Sequence, residues 1–228
     1  MFIEKTIKGK RIYCSDILEI EHFFNSRDFM VKENLPFVAD YFNLKAENII
    51  KPTQTHSKNV EIFDENKKEY PDCDGIILNK KGYGLYLNFA DCTPVILYDN
   101  KNHIASIVHA GWRGTAEKIA IVAIEKMKNN FNTNTEDITA VIGPAISFKN
   151  FETSDEIVNK LKATIKNPNG LFNKNHADLK GINAKQLNEA GVKKIDICPY
   201  CTVDDNDKFF SYRKENKTKN RHSAFIKL

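Results

Sequence analysis

The sequence predicts a mixed α/β fold in a single domain spanning residues 1–228. Short apolar runs bounded by turn residues recur along the chain, and several other segments carry apolar residues at helical spacing. No internal repeat, low-complexity tract or linker divides it. The length is enough for a substantial core, and a hydrophobic share of 41% is ordinary for a globular protein.

Taken in order, Met1–Ile7 and Ile17–Phe24 read as two short strands. Asn34–Leu44 reads as a helix with Leu35, Val38, Phe42 and Leu44 inward and Pro36 tolerated in its first turn. Ile49 and Ile50 lead into the polar stretch Pro52–Val60, and the charged run Glu61–Pro71 is expected as a surface connection. Asp72-Cys73-Asp74-Gly75 opens a strand over Ile76–Leu78, and Lys80-Lys81-Gly82 is a turn. The most organised stretch is Gly84–Ala123. Leu85, Leu87 and Phe89 alternate with Tyr86 and Asn88, as in a half-buried strand; Thr93–Tyr98 and Ile104–Val108 are further strands. Thr115 is placed to cap a helix with Ile119, Ala120, Ala123 and Met127 on one face. Ile138–Ile142 is a strand closed by Gly143-Pro144, and Ser154–Ile165 an amphipathic helix. Lys166–Asn175 is loop-like, and Ile182–Ala190 is a helix ended by Gly191. Lys194–Cys198 and Ala224–Leu228 are closing strands.

The net charge of +4 is mild, and lysines and acids are interspersed. A solvated surface is expected, with no nucleic-acid partner. The segment Lys208–Lys227 is locally basic, contains Tyr212, Arg213 and Arg221, and is suited to face an anion. No apolar run approaches the ~20 residues of a spanning helix, so no membrane partner is expected. The first residues lack the apolar core of a signal peptide, and five irregularly spaced cysteines suit a reducing compartment; a cytoplasmic location is the expectation. With no heptad seam or large apolar stripe, the expected state is a monomer.

Three soft ligands stand out: His56, Cys92 and His109, each in a short polar patch between apolar strands. Two imidazoles and a thiolate suit a borderline-soft divalent ion, zinc above all, and three protein ligands leave a fourth position for water or substrate. Separations of 36 and 17 residues match no local zinc-finger pattern, so the residues alone also admit a buried apolar cysteine beside two surface histidines. A rival use of the same atoms makes Cys92 a nucleophile, His109 its base and Asp91 or Asp74 the orienting acid. Copper ranks below zinc, because Met1, Met30 and Met127 offer no axial ligand next to the trio. Cys198-Pro-Tyr-Cys201 has no second pair at zinc-ribbon spacing and reads as ordinary thiols. In His109-Ala-Gly-Trp-Arg-Gly114 the two glycines permit a sharp turn and close backbone approach to a ligand. The following helix start, with Arg113, can receive phosphate. The alternative is a tight turn with Trp112 packed and Arg113 in solvent.

The strings QTHSKNV, CDGIIL, NFADCTPVILYD, VHAGWRGT, IGPAI and FFSYR, in this order, closely resemble the multicopper polyphenol oxidase (laccase-like) family. This is the YfiH-like group, regarded as zinc-dependent purine nucleoside phosphorylases. The resemblance covers roughly residues 20–228. It implies packed mixed β-sheets with helices outside, and a Zn2+ cofactor held by His56, Cys92 and His109. It also implies phosphorolysis of adenosine, inosine, guanosine and methylthioadenosine, with deamination of adenosine as a second activity. Purine nucleosides and phosphate are the expected small-molecule partners. Arg27, Arg113 and Arg213 are the expected phosphate-binding residues, with Asp91 or Asp74 as the acid facing the base. The chain departs from the family pattern in three places. A glycine-rich stretch after Arg27 is missing, Asn150-Phe151-Glu152-Thr153-Ser154 replaces Cys-Tyr-Glu-Val-Gly, and Asn220-Arg221 replaces Gly-Arg. These changes are expected to alter one wall of the pocket and leave the metal ligands intact. Two other readings stand beside the phosphorylase: a Cys92–His109 hydrolase acting on peptidoglycan precursors, and a metal-binding protein without turnover.

Overall fold

The computed structural model describes residues 1–228. Its strands are β1 (Phe2–Ile7), β2 (Lys10–Ser15), β3 (Glu21–Asn25), β4 (Ile49–Ile50), β5 (Val60–Ile62), β6 (Gly75–Leu78) and β7 (Gly84–Phe89). They continue with β8 (Thr93–Asp99), β9 (Ile104–Ala110), β10 (Ile138–Ile142), β11 (Phe172–Asn173), β12 (His176–Ala177), β13 (Lys194–Ile197) and β14 (His222–Lys227). The helices are α1 (Leu35–Tyr41), α2 (Trp112–Ala116), α3 (Ile119–Phe131), α4 (Asp155–Lys162) and α5 (Leu179–Glu189).

Two six-stranded mixed sheets form, in the orders β1-β2-β3-β14-β7-β4 and β13-β10-β8-β9-β6-β5, beside a two-stranded ribbon of β11 and β12. They pack face to face because the inner strands are apolar on both sides. In β8, Ile96 and Tyr98 enter the core between the sheets with Leu85, Leu87 and Phe89 of β7, while Val95 and Leu97 face α3 with Ala120, Ala123, Ile124 and Met127. On the far side of the first sheet, Phe225 lies stacked on Phe23 and Phe42, beneath α1. The layers therefore run helix, sheet, sheet, helix, the expected α/β class.

Differences from the sequence expectations have local causes. The N-terminal region holds three strands rather than two: Lys8 and Gly9, both at positive φ, turn β1 back onto β2, and the third strand begins only at Glu21. Thr115 does not cap the helix carrying Ile119. It lies inside the short α2, and Lys118, in a left-handed conformation, starts α3. The run Glu61–Pro71 is not wholly a connection, since Val60–Ile62 pairs in parallel with Gly75–Ile77. The helix expected from Ile182 begins at Leu179, with the Asp178 carboxylate accepting the Gly181 amide.

The site is positioned by the way the chain crosses between sheets. Residues 51–59 pass from β4 of the first sheet to β5 of the second, and residues 90–92 pass from β7 to β8. Residues 198–221 return from β13 to β14. Ladder pairing places Pro94 opposite His109 and Phe89 opposite His222, so these crossovers meet at one end of the sandwich.

Candidate metal centre

His56, Cys92 and His109 come from two crossovers and the end of β9, and their donor atoms all lie within 4.8 Å of one another. The rings of His56 and His109 meet edge to face at 4.8 Å between centroids, and Phe89 backs His109 at 5.3 Å. His109 is buried, Cys92 half-buried and His56 exposed, so the cluster is open on one side. Two nitrogens and one sulfur at this spacing fit a tetrahedral ion with one position left open.

Asp74 organises both histidines. Its fully buried carboxylate accepts the His109 Nδ1–H at 2.7 Å, which leaves Nε2 as the free donor on that ring. The same carboxylate accepts the backbone amides of Thr55, His56 and Ser57 at 2.9, 3.1 and 2.8 Å, and the Ser57 hydroxyl at 2.9 Å. These bonds curl the loop so that His56, at a φ of 64°, projects toward Cys92. Burial pushes the Asp74 carboxyl up, but His109 and the loop amides outweigh it and hold it well below the usual carboxylate range. Burial likewise pushes the Cys92 thiol up, and the neighbouring His109 and His56 rings outweigh that and draw it down toward thiolate. Burial pushes His109 down, but Cys92 and Asp74 outweigh it and hold its proton, so a metal of this class, which takes a thiolate and two neutral imidazoles, would release that proton on binding.

Gly111 completes the cluster from below. A Cβ there would stand 2.9 Å from Cys92 Sγ and 3.4 Å from the His56 ring, so the close backbone approach foreseen for this glycine is to the sulfur.

The trio sits at the floor of a cavity of about 640 Å³. Its walls include Trp112, Phe151, Ile146 and Tyr212, together with four cations: Lys51, Arg113, Arg213 and Arg221. The chain has five arginines against 29 lysines. Three of those five line this cavity, and none of the three is paired with a carboxylate. Arg113 stacks on Trp112 at 4.3 Å. Arg213 donates to the carbonyls of Asn150 and Glu152, and Arg221 to those of Thr218 and Asn220.

Two expected site residues lie elsewhere. Arg27 does not line the cavity: it stacks on Phe210 and bonds to the Asn206 carbonyl and to Glu215. Asp74 stands behind His109 with its oxygens occupied, so it cannot face a bound base. Asp91 does line the cavity, with both carboxylate oxygens taken by protein donors. Lys51 and Gln54 went unassigned in the sequence, and Arg221 was read only as part of a basic segment suited to face an anion. Gln54 donates to the Asn88 carbonyl and accepts the Asn88 amide, which welds the loop carrying His56 onto β7. Arg221 had a signal, the basic stretch before β14. Cys198 and Cys201 are buried thiols; Cys201 accepts the Ser147 amide, and burial pushes Cys198 up to about 12.

Fold and site together define a mixed α/β protein with an open three-donor centre at the floor of a cationic cavity. The profile of the multi-copper polyphenol oxidoreductase laccase family matches residues 17–228, and the chain belongs to that family. A purine nucleoside phosphorylase of Clostridium acetobutylicum is 31% identical over 207 residues, covering 89% of this chain and 86% of that protein. One of Staphylococcus epidermidis is 32% identical over 234 residues, covering 96% and 87%. An adenosine deaminase, RL5, from an unknown prokaryotic organism is 31% identical over 194 residues, covering 78% and 74%. Among solved structures, the hypothetical protein YfiH of Bacillus licheniformis superposes with a TM-score of 0.89 at 24% identity, covering 95% of this chain and 96% of that one. That likeness is one of fold. No helix is long and apolar enough to cross a membrane.

Proposed function

We propose that the chain is a zinc-dependent purine nucleoside phosphorylase that also deaminates adenosine. The observation that carries this reading is the convergence of His56, Cys92 and His109 at the floor of a cavity lined by three arginines without carboxylate partners. Relatives named for both activities, at about this identity, support it. Zinc is favoured over copper because no methionine lines the cavity.

In phosphorolysis a phosphate oxygen attacks the anomeric carbon, the glycosidic bond breaks, and the base leaves with the bonding pair. Arg113 and Arg213 hold the phosphate through forked contacts, and Trp112, Phe151 and Tyr212 offer faces on which a purine and sugar can rest. Asp74 fixes the orientation of His109 and takes no part in proton transfer to the base. When bound, the metal supplies Lewis acidity and lowers the pKa of a coordinated water toward ~7, the chemistry deamination requires. The test is adenosine turnover with and without phosphate after bound metal has been quantified. Adenine and ribose-1-phosphate appearing only with phosphate support the proposal. Zinc-loaded protein that forms neither these nor inosine overturns it.

One observation favours a second reading. Cys92, His109 and Asp74 are ordered as nucleophile, base and orienting acid. That arrangement gives His56 no task, whereas a metal centre uses all three donors. Iodoacetamide separates the two: a metal-bound Cys92 reacts slowly until a chelator is added, and a free catalytic thiolate reacts at once.

A further inference from the structure

The wall that carries Arg213 belongs to the crossover 198–221, which has no helix or strand of its own. Its first half is tied to the 145–150 segment by the Thr202 amide and by Asn150, and the Arg213 end is held by Asp91. The Arg213 backbone amide donates to Asp91 Oδ2 at 2.6 Å, and the Thr202 hydroxyl donates to Asp91 Oδ1 at 2.6 Å. The Ile146 amide donates to the Asp91 carbonyl at 3.0 Å. Asp91 itself has a φ of 81°, in the positive-φ region that aspartate tolerates better than most non-glycine residues. From this anchor the connection continues outward. The Arg213 guanidinium reaches the carbonyls of Asn150 and Glu152 at 3.2 and 3.1 Å and lies 6.0 Å from the Phe151 ring.

Two points of the crossover, Thr202 and Arg213, are thus pinned at one side chain, and the 146 segment at the backbone carbonyl of the same residue, the immediate neighbour of Cys92. Each Asp91 oxygen accepts one short bond, and both donors belong to the crossover that carries the wall. We propose that Asp91 is a positioning residue for the substrate wall. Its carboxylate latches the Arg213 segment, and through Arg213 the 150–152 segment, across the cavity, setting where the anion-binding guanidinium and the Phe151 face meet the ligand. The kinetic part of this inference rests on the phosphorylase reading; the latch itself is read without turnover.

The experiment compares Asp91→Ala, Asp91→Asn and Thr202→Val with the wild type in bound metal per chain, amide hydrogen exchange, and KM and kcat for adenosine and phosphate. Asp91→Ala is expected to keep its metal and to accelerate exchange in 211–215 and 150–152 together. It should raise KM for phosphate at least tenfold, with a smaller loss in kcat. Asp91→Asn, which keeps an oxygen for the Arg213 amide, should recover most of that KM. A collapse of kcat at unchanged KM without rescue by Asn would make Asp91 a proton donor and overturn the proposal. Unchanged exchange in the two segments would overturn it as well. If Asp91→Ala does not fold, Thr202→Val removes a single donor and is judged by exchange at the Arg213 segment. Should the wild type consume no purine nucleoside, the activity reading fails while the exchange data still decide the latch.

Discussion

Replacing Gly111 with alanine tests the metal centre with a single methyl group. Gly111 has φ −63° and ψ 176°, backbone values open to any residue, and it contributes no side-chain cap to α2. The added Cβ would sit 2.9 Å from Cys92 Sγ and 3.4 Å from the His56 ring. Ordinary nonbonded contact lies at ~3.5–4.0 Å, so the sulfur must retreat by roughly 0.6–1 Å. Metal–ligand bonds tolerate about ±0.2 Å, so the displacement is several times what the site absorbs. The expected loss is ~10–100-fold in zinc affinity, the range seen when outer contacts of a metal site are removed, or ~1.4–2.8 kcal/mol. Affinity is read by competition with a chromophoric chelator, and the metal-free melting temperature serves as a control for folding. A Gly111→Ala protein that binds zinc as tightly as the wild type and melts at the same temperature would refute the reasoning, because Cys92 Sγ would then have no role at this position.

Asp74→Asn should weaken metal binding by ~10–100-fold and loosen the 55–57 loop, because an amide cannot accept from His109 and three backbone amides together; chelator competition and exchange at Thr55–Ser57 check both. His222 is fully buried, and burial pushes its pKa from 6.5 down to about 3 against the opposing pull of the Pro144 carbonyl. The unfolded chain then binds a proton that the folded chain refuses between those values. Its contribution to stability is complete above pH ~6.5 and falls as pH drops toward 3, by up to ~1.4 kcal/mol per unit; urea midpoints of wild type and His222→Leu at pH 7.5 and 5 should show the variant losing less. Phe225→Ala, which empties the stack between Phe23 and Phe42, should cost ~3–5 kcal/mol, measured by urea denaturation.

The central strands were legible in the sequence because β7, β8 and β9 are bounded by clear turn residues, and their apolar runs have no competing helical period. In the early hairpin β1 was legible as the strand read over Met1–Ile7, but β2 was not, because it opens on the charged pair Lys10-Arg11. The three soft ligands could be picked out by residue type. Their meeting depends on crossovers between sheets, which no local period records. Asp74 and Asp91 show the limit of residue-type reasoning most clearly. Both are acids beside the site, yet their hydrogen bonds give one to the histidines and the other to the cavity wall. Arg27 and Arg221 show it for cations. Arg27 is taken up by Glu215 and Phe210, while Arg221 arrives at the cavity because it immediately precedes β14.

Strands and connections divide the labour of building the centre and the wall. Asp74, Cys92 and His109 sit at the ends of β6, β8 and β9 in the second sheet, among strands buried on both faces, so their placement is set by the best-packed part of the molecule. The wall residues Phe151, Tyr212, Arg213 and Arg221 lie on connections outside those strands and are held by hydrogen bonds to backbone and to Asp91. The departures from the family pattern at Asn150–Ser154 and Asn220 fall on those connections, and Asn150 exploits one of them. Its side-chain amide donates to Ser147, Cys201 and Asp204, while its carbonyl accepts Arg213. A cysteine at that position would offer none of those amide bonds, and the 147–152 segment would need another anchor. The wall thus rests on side-chain and backbone hydrogen bonds between connections, whereas Cys92 and His109 rest on strand packing.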